Sequence, residues 1–188
     1  MMPMLGSFVV VALAEMGDKT QLIALTLGLR YRRPWTVMLG IFLATVLNHA
    51  MASAVGVWGG AQVDAAVLGW LLGLSFLAFG VWTLVPDRAE APADLLRWGP
   101  LLTTTVVFFF AEMGDKTQLA TVALGARFAS TVQVTTGTTL GMLAADALAV
   151  FAGARFADRI PMRLFRRVAA ALFFLFGLAS IASALRWL

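Results

Sequence analysis

The chain has 188 residues, of which 61% are hydrophobic and 13% are charged, and its mean hydropathy is +0.88. Soluble domains carry about 25% charged residues, so this composition excludes an ordinary water-soluble protein and indicates an integral membrane protein. The net charge of +4 comes from arginines near segment ends, which disfavours nucleic-acid binding, and the absence of cysteine excludes disulfides and thiolate metal sites.

Six apolar stretches follow one another along the chain, and each reaches or exceeds the roughly 20 residues that a helix needs to cross a bilayer. They cover residues 4–29, 35–58, 66–85, 99–126, 131–153 and 164–186. In a bilayer the backbone amides of an isolated segment are hydrogen-bonded within that segment, so each stretch is expected to be a helix. The sequence therefore predicts an all-α integral membrane protein with six transmembrane helices.

The second half of the sequence repeats the first at an offset of 97 residues. The octapeptide EMGDKTQL begins at Glu15 and begins again at Glu112. Further identities at this offset pair Gly28 with Gly125, Gly40 with Gly137, and Phe79 with Phe176. No gap is needed anywhere, which indicates an internal structural repeat.

Each repeat holds three predicted crossings, so the second repeat starts on the opposite side of the membrane from the first. We predict repeat 1 at residues 1–85, a cytoplasmic linker at 86–98 and repeat 2 at 99–188. This inverted-topology plan is found in many secondary transporters.

The arginines predict the orientation of the chain. Ten of the twelve lie in or beside the loops that follow the first, third and fifth helices, at 30–34, 86–98 and 154–163. Because positively charged loops tend to stay in the cytoplasm, these three loops are expected inside and both termini outside.

The repeated motif places charges within apolar segments. On a continuous helix, Glu15, Asp18, Lys19 and Leu22 would share one face, and Glu15 and Lys19 would pair four residues apart; the second copy repeats this spacing. An ionised side chain at the bilayer centre costs roughly 2.5–3.5 kcal/mol. Each motif has one excess negative charge, so a bound divalent cation would neutralise the pair. The glycine between the carboxylates permits a bend in each copy.

Oxygen-bearing side chains dominate the candidate site. The predicted metal ligands are Glu15, Asp18, Gln21, Glu112, Asp115 and Gln118. Carboxylate and amide oxygens suit Mg²⁺, Ca²⁺ or Mn²⁺, whereas zinc or copper would be expected to recruit cysteine or several histidines. The residues predicted to support the site or a proton path are Lys19, Thr20, Lys116, Thr117, Asn48, His49 and Asp146. No resident cofactor is expected.

Two interpretations stay open for some of these residues. The lysines could act as internal cations when the metal is absent, or could only orient the carboxylates. His49 and Asp146, at equivalent positions of the two repeats, could relay protons or form local hydrogen bonds between helices.

An empty site would favour proton uptake. Without a cation, four clustered carboxylates in a low-dielectric place repel one another, so some should bind protons that metal binding then drives off. This is the chemical basis of cation/proton antiport. We expect about two protons per divalent ion, because two is the excess charge of the cluster.

The doubled pattern E-x-G-D-[KR]-[TS] in a six-helix chain resembles the Gdt family of membrane proteins. Both copies match without departure, and the resemblance covers essentially the full chain. It implies exchange of Mn²⁺ or Ca²⁺ for protons, with cation binding by Glu15, Asp18, Glu112 and Asp115. The short central loop is similar to that of compact bacterial members, which implies a manganese exporter of the bacterial inner membrane.

Other function classes are weighed against the antiporter. A passive cation or proton channel would use the same acidic cluster as a filter. A non-transporting scaffold would pair Glu15 with Lys116 and Glu112 with Lys19. An enzyme is not expected, because no nucleophile–base pair is evident. The preference between Mn²⁺ and Ca²⁺, the direction of transport and the choice between monomer and homodimer stay open.

Overall fold

The computed structural model describes residues 1–85, 98–152 and 162–186, and these ranges form helices without any strand. In chain order the helices are α1 (Met2–Glu15), α2 (Lys19–Tyr31), α3 (Pro34–Gly60), α4 (Ala65–Thr83), α5 (Pro100–Glu112), α6 (Lys116–Phe128), α7 (Thr131–Ala152) and α8 (Met162–Ala184). The all-α prediction is confirmed for the described part of the chain.

Helix length separates these elements into two groups. Helices α3, α4, α7 and α8 are long and apolar enough to cross a membrane, whereas α1 and α5 are apolar but shorter. The stretches 4–29 and 99–126, each predicted as one helix that can bend at its glycine, are interrupted in the structure. Each of these stretches consists of two short helices, α1 with α2 and α5 with α6.

Each break lies inside the repeated motif and is centred on a glycine. Gly17 has a φ of 83° and Gly114 a φ of 76°, which is a left-handed conformation that residues with a Cβ atom rarely adopt. An extended aspartate follows, and helix resumes at Lys19 and at Lys116. The sequence suggested a bend at these glycines, but their backbone conformation ends the helix altogether.

The two halves of the chain interleave. Helix α1 packs against α7, α3 packs against α5, α6 and α7, and α4 packs against α8. One apolar core cluster surrounds Phe76 and Phe173, and a second surrounds Ile41 and Phe108. Most of these interfaces join one half of the sequence to the other, so neither half buries its apolar faces alone.

Aromatic contacts between α4 and α8 recur at the sequence offset of the repeats. Phe76 stacks on its own counterpart Phe173, with ring centroids 6.2 Å apart. The rings of Phe79 and Phe173 are 6.0 Å apart, and the equivalent pair, Phe76 and Phe176, is 5.8 Å apart. Such reciprocal contacts are what a twofold relation between two copies of a surface produces.

Glycines on the long helices allow close approach of the short ones. Gly40 of α3 faces Thr104 of α5, and at the equivalent place Gly137 of α7 faces Ser7 of α1. A methyl group on Gly40 would lie 2.6 Å from the Thr104 Cβ atom. The backbones therefore meet at distances that a larger residue would prevent.

Part of the predicted topology lies outside the described residues. Most of the predicted linker at 86–98 and most of the loop at 154–163 fall in the ranges 86–97 and 153–161, which the structure does not describe. The repeat boundaries and the sides of the membrane on which the loops lie stay predictions.

Candidate functional site

The two motif copies bring four carboxylates together in the interior. Glu15 and Glu112 end α1 and α5, and Asp18 and Asp115 immediately precede α2 and α6. All four side chains are buried. Glu15, Glu112 and Asp115 each offer a carboxylate oxygen, and these three atoms lie within 4.8 Å of one another. This spacing allows one ion to contact all three.

The lysines pair across the two copies. Lys19 Nζ lies 2.8 Å from Asp115 Oδ1, and Lys116 forms the reciprocal ion pair with Asp18. The predicted pair of Glu15 with Lys19 along one helix is wrong, because the break at Gly17 separates these residues into different helices. The scaffold hypothesis paired each lysine with the glutamate of the other motif copy. In the structure each lysine instead forms its ion pair with the aspartate of the other copy.

The predicted shared helix face is lost for the same reason. Leu22 and Leu119, which the spacing placed beside the carboxylates, are both exposed, whereas the carboxylates are buried. An exposed leucine and a buried glutamate seven residues earlier cannot share one face of a straight helix. Each motif copy therefore spans a break between two helices, with only residues 16–18 and 113–115 outside them.

The motif threonines hold the glutamates in place. Thr20 donates a hydrogen bond of 2.7 Å to Glu15 Oε2, and Thr117 donates one of 3.0 Å to Glu112 Oε2. The other carboxylate oxygen of each glutamate, Oε1, is buried and has no hydrogen-bond partner among the described residues. Each glutamate is thus oriented by one oxygen, while its second oxygen is available to a ligand.

The motif glutamines brace the breaks. Gln21 Oε1 accepts a 2.9 Å hydrogen bond from the Gly17 backbone amide, and Gln118 Oε1 accepts one of 2.7 Å from Gly114. The side-chain amide of Gln21 also donates to the carbonyl oxygen of Ala145 in α7 at 2.9 Å. The glutamine oxygens, predicted as metal ligands, therefore have a structural hydrogen bond in this conformation.

The charge of the site is unbalanced. With all four carboxylates and both lysines ionised, the motif residues carry a net charge of −2. Buried ion pairs offset only part of the desolvation penalty of their own charges. The remaining negative charge can be compensated by a cation or by protons.

The three polar residues predicted on α3 and α7 are buried, but none is hydrogen-bonded to a motif carboxylate among the described residues. Asn48 donates to the Phe109 carbonyl oxygen at 3.0 Å, and its own Oδ1 has no hydrogen-bond partner within residues 1–85, 98–152 and 162–186. In the part of the chain that the structure describes, neither ring nitrogen of His49 has a hydrogen-bond partner, and neither carboxyl oxygen of Asp146 has one. The local hydrogen-bond alternative is thus absent for the side chains of His49 and Asp146 within the described residues.

One contact near the centre was not predicted from the sequence. The Thr45 hydroxyl lies 3.0 Å from the Met142 sulfur, and these residues occupy the same position in the two repeats. A residue that touches its own counterpart lies next to the axis of a twofold symmetry between the repeats. Helices α3 and α7 therefore cross near this contact. The repeat offset is the signal that could have identified this pair.

Comparison with known proteins extends over nearly the whole chain. The model of the family described as "Divalent cation/proton antiporter GDT1" matches residues 3–91 and 100–187. A Vibrio cholerae protein named "Putative manganese exporter" is 45% identical over 175 residues, which cover 93% of this chain and 88% of that protein.

More distant relatives match over a similar share of this chain. A GDT1-like protein of Synechocystis sp. is 27% identical over 93% of this chain and 94% of its own length. A chloroplastic GDT1-like protein of Oryza sativa is 30% identical over 93% of this chain and 59% of its own length. No solved structure matches the chain.

Proposed function

This chain belongs to the GDT1 family of divalent cation/proton antiporters, and from that premise we propose that it exports Mn²⁺ from the cytoplasm in exchange for protons. The observation that supports this most directly is the approach of the Glu15, Glu112 and Asp115 carboxylate oxygens to within 4.8 Å of one another in a buried site. Membership of a transporter family also argues against an enzyme.

Four carboxylates would form the metal site. Glu15 and Glu112 would bind through Oε1, the oxygen that has no hydrogen-bond partner among the described residues. Asp115 and Asp18 would complete the set, each beside the lysine of the opposite motif copy. A divalent ion would neutralise the net charge of the cluster, and the lysines would compensate for part of it when the metal leaves.

The metal would be a hard or borderline divalent ion. Carboxylate oxygens favour Mn²⁺, Ca²⁺ and Mg²⁺ over softer metals, and the chain has no cysteine. Among the hard ions, Mn²⁺ is supported by the name of the Vibrio cholerae relative, with which this chain shares 45% identity.

Protons would replace the metal in the returning transporter. In the empty site the carboxylates repel one another, and protonation relieves that repulsion. The net charge of −2 favours about two protons for each metal ion. Because the metal and the protons compete for the same negatively charged carboxylates, movement of one drives the other in the opposite direction.

The interrupted helices fit an inverted repeat in the membrane. Helices α1 and α2 would together make one crossing, and α5 and α6 another, which with the four long helices gives six. Discontinuous helices that meet at the middle of the membrane are typical binding sites of such transporters. An exchange of conformations between the two repeats would open the site alternately to each side, with the arginine-rich loops in the cytoplasm of a bacterial inner-membrane protein.

The test is transport by the purified protein in proteoliposomes that contain a pH-sensitive dye. We expect saturable uptake of Mn²⁺ and a rise of internal pH as protons leave. A Glu15→Gln, Glu112→Gln double variant should keep its helix content and lose both signals, since the amides accept the threonine hydrogen bonds but lack the charge. A Thr26→Val variant is the matched control, because the exposed Thr26 hydroxyl donates to the Leu22 carbonyl oxygen of the same helix.

Mn²⁺ uptake that is not accompanied by proton movement would contradict the antiporter and favour the channel. Equal uptake by the double variant would exclude the glutamates as ligands. Preference for Ca²⁺ over Mn²⁺ in a competition series would change the substrate while leaving the exchange mechanism in place.

A further inference from the structure

A fifth buried carboxyl group lies outside the repeated motif. Asp146 in α7 is fully buried, and neither of its oxygens has a hydrogen-bond partner among the described residues. An ionised carboxylate in such a place loses its hydration without compensation, which costs far more than burial of the neutral acid. The surroundings of Asp146 therefore tolerate the protonated form best.

The charges that act on Asp146 come from the first motif copy. This copy lies against the same part of α7, because the Gln21 side-chain amide donates to the carbonyl oxygen of Ala145, the residue before Asp146, at 2.9 Å. The negative charges of Glu15 and Asp18 therefore oppose a negative charge on Asp146. The helices packed against α7 are α1, α2, α3, α6. The N-terminus precedes α1, and Glu15 ends it. The other titratable side chains of these four helices are Lys19, Arg30, Tyr31, His49, Lys116 and Arg127. Within the described residues, none of these forms an ion pair or hydrogen bond with Asp146.

Building on the proposed function, we propose that Asp146 binds one of the exchanged protons at a site that shares no atom with the metal ligands. When the metal site is empty, the negative charge of Glu15 and Asp18 favours the neutral Asp146. A divalent ion at those carboxylates neutralises the negative charge that opposes ionisation of Asp146, so the Asp146 O–H bond breaks, the proton passes to water and a carboxylate remains. When the metal leaves, Asp146 takes a proton back.

Coupling of this kind acts through electrostatics and is reciprocal. Metal binding lowers the affinity of Asp146 for its proton, so the proton lowers the affinity of the site for the metal by the same factor. The proton on Asp146 is therefore exchanged for metal although the proton and the metal do not bind to the same oxygen atoms.

The other repeat offers no equivalent group. The position that corresponds to Asp146 is His49 in α3, which is also fully buried. A neutral imidazole that gains a proton becomes a cation, whereas a carboxylate that gains a proton loses its charge. The proton site in α7 is therefore single, although the metal motif is double.

The experiment counts protons released when the purified protein binds Mn²⁺ in weakly buffered detergent solution. We expect Asp146→Asn to release one proton fewer per bound Mn²⁺ than the natural protein. The slope of log Mn²⁺ affinity against pH should fall by one in the same variant. Asp146→Glu should restore both values, and the matched variant Asp64→Asn, at an exposed aspartate just before α4, should leave them unchanged.

An infrared measurement keeps the proposal testable if Asp146→Asn does not fold. Difference spectra with and without Mn²⁺ should show a protonated aspartic carboxyl band that disappears on metal binding. With isotope-labelled residues, this band should respond to labelled aspartate in the natural protein and to labelled glutamate in Asp146→Glu.

An unchanged proton count in Asp146→Asn, or a carboxyl band that persists with Mn²⁺ bound, would overturn the assignment of Asp146 and leave the proposed antiport intact. If the natural protein binds no Mn²⁺, the proposed function fails, and the role of Asp146 fails with it.

Discussion

The two copies of EMGDKTQL have identical residues but different surroundings. The Lys116 side chain, which pairs with Asp18, is 2% exposed, whereas the Lys19 side chain, which pairs with Asp115, is 25% exposed. Gln21 is buried against α7, and its counterpart Gln118 is half-buried. The site is thus closed on one side and more open on the other. Since the motif residues are the same, packing of the flanking helices produces the difference.

The helices that follow the two motifs show the same contrast. Helix α6 packs closely against α3 and also against α4, whereas α2 packs mainly against α7. Ala123 of α6 is buried, and the equivalent Thr26 of α2 is exposed. Contact of a partly exposed, charged lysine with lipid is costly, whereas contact with water is not. The asymmetry is what one state of an alternating-access cycle would have.

The largest effect should come from removing the aspartate of each ion pair in turn. Asp18→Asn takes the carboxylate partner from a buried ammonium group and should lower the free energy of unfolding by about 3–5 kcal/mol. Asp115→Asn should lower it by only about 1 kcal/mol, because water screens the partly exposed Lys19. Thermal unfolding in detergent measures both values.

A double variant separates the charge effect from a packing effect. Asp18→Asn with Lys116→Met removes both members of the buried pair and should recover most of the stability lost in Asp18→Asn alone. Equal losses in the two single variants would contradict the difference in environment between the copies.

The sequence predicts the repeat and the chemistry of the motif, but it cannot predict this asymmetry. Apolar length and the 97-residue offset give the helices and the equivalent positions, and Gly17 and Gly114 mark the breaks. The cross-pairing of the lysines depends on how far each break turns the chain, which a spacing rule for continuous helix does not contain. Two identical octapeptides also predict identical environments, so the difference lies in how the neighbouring helices pack around each copy.

The second comparison concerns two equivalent glycines at helix contacts between the repeats. A methyl group on Gly125 would lie 2.5 Å from the Ser53 carbonyl oxygen, whereas one on Gly28 would lie 3.3 Å from the Val150 carbonyl oxygen. Gly125→Ala should therefore lower the free energy of unfolding by about 1–3 kcal/mol, and Gly28→Ala by less than about 1 kcal/mol.

Gly28→Ala, which should have the smaller effect on stability, should have a clear effect on the rate of transport. If the repeats exchange conformations, Gly28 has to approach Val150 as closely as Gly125 now approaches Ser53. Gly28→Ala should then fold normally but slow Mn²⁺ transport in proteoliposomes, because the extra methyl group blocks the second closed state. Normal transport by a folded Gly28→Ala variant would contradict alternation between these two contacts.

A smaller effect than that of Asp18→Asn should come from the backbone break at Gly114, which lies on the more open side of the site. Gly114 has a φ of 76°, and a Cβ atom there would meet nothing within 4 Å, so Gly114→Ala introduces backbone strain without a clash. It should lower the free energy of unfolding by about 1–2 kcal/mol. Gly114→Asn should lower it less, because asparagine adopts the left-handed region more readily than alanine. Thermal unfolding of both variants tests the order, and an alanine variant as stable as the natural protein would show that this break does not depend on a left-handed residue.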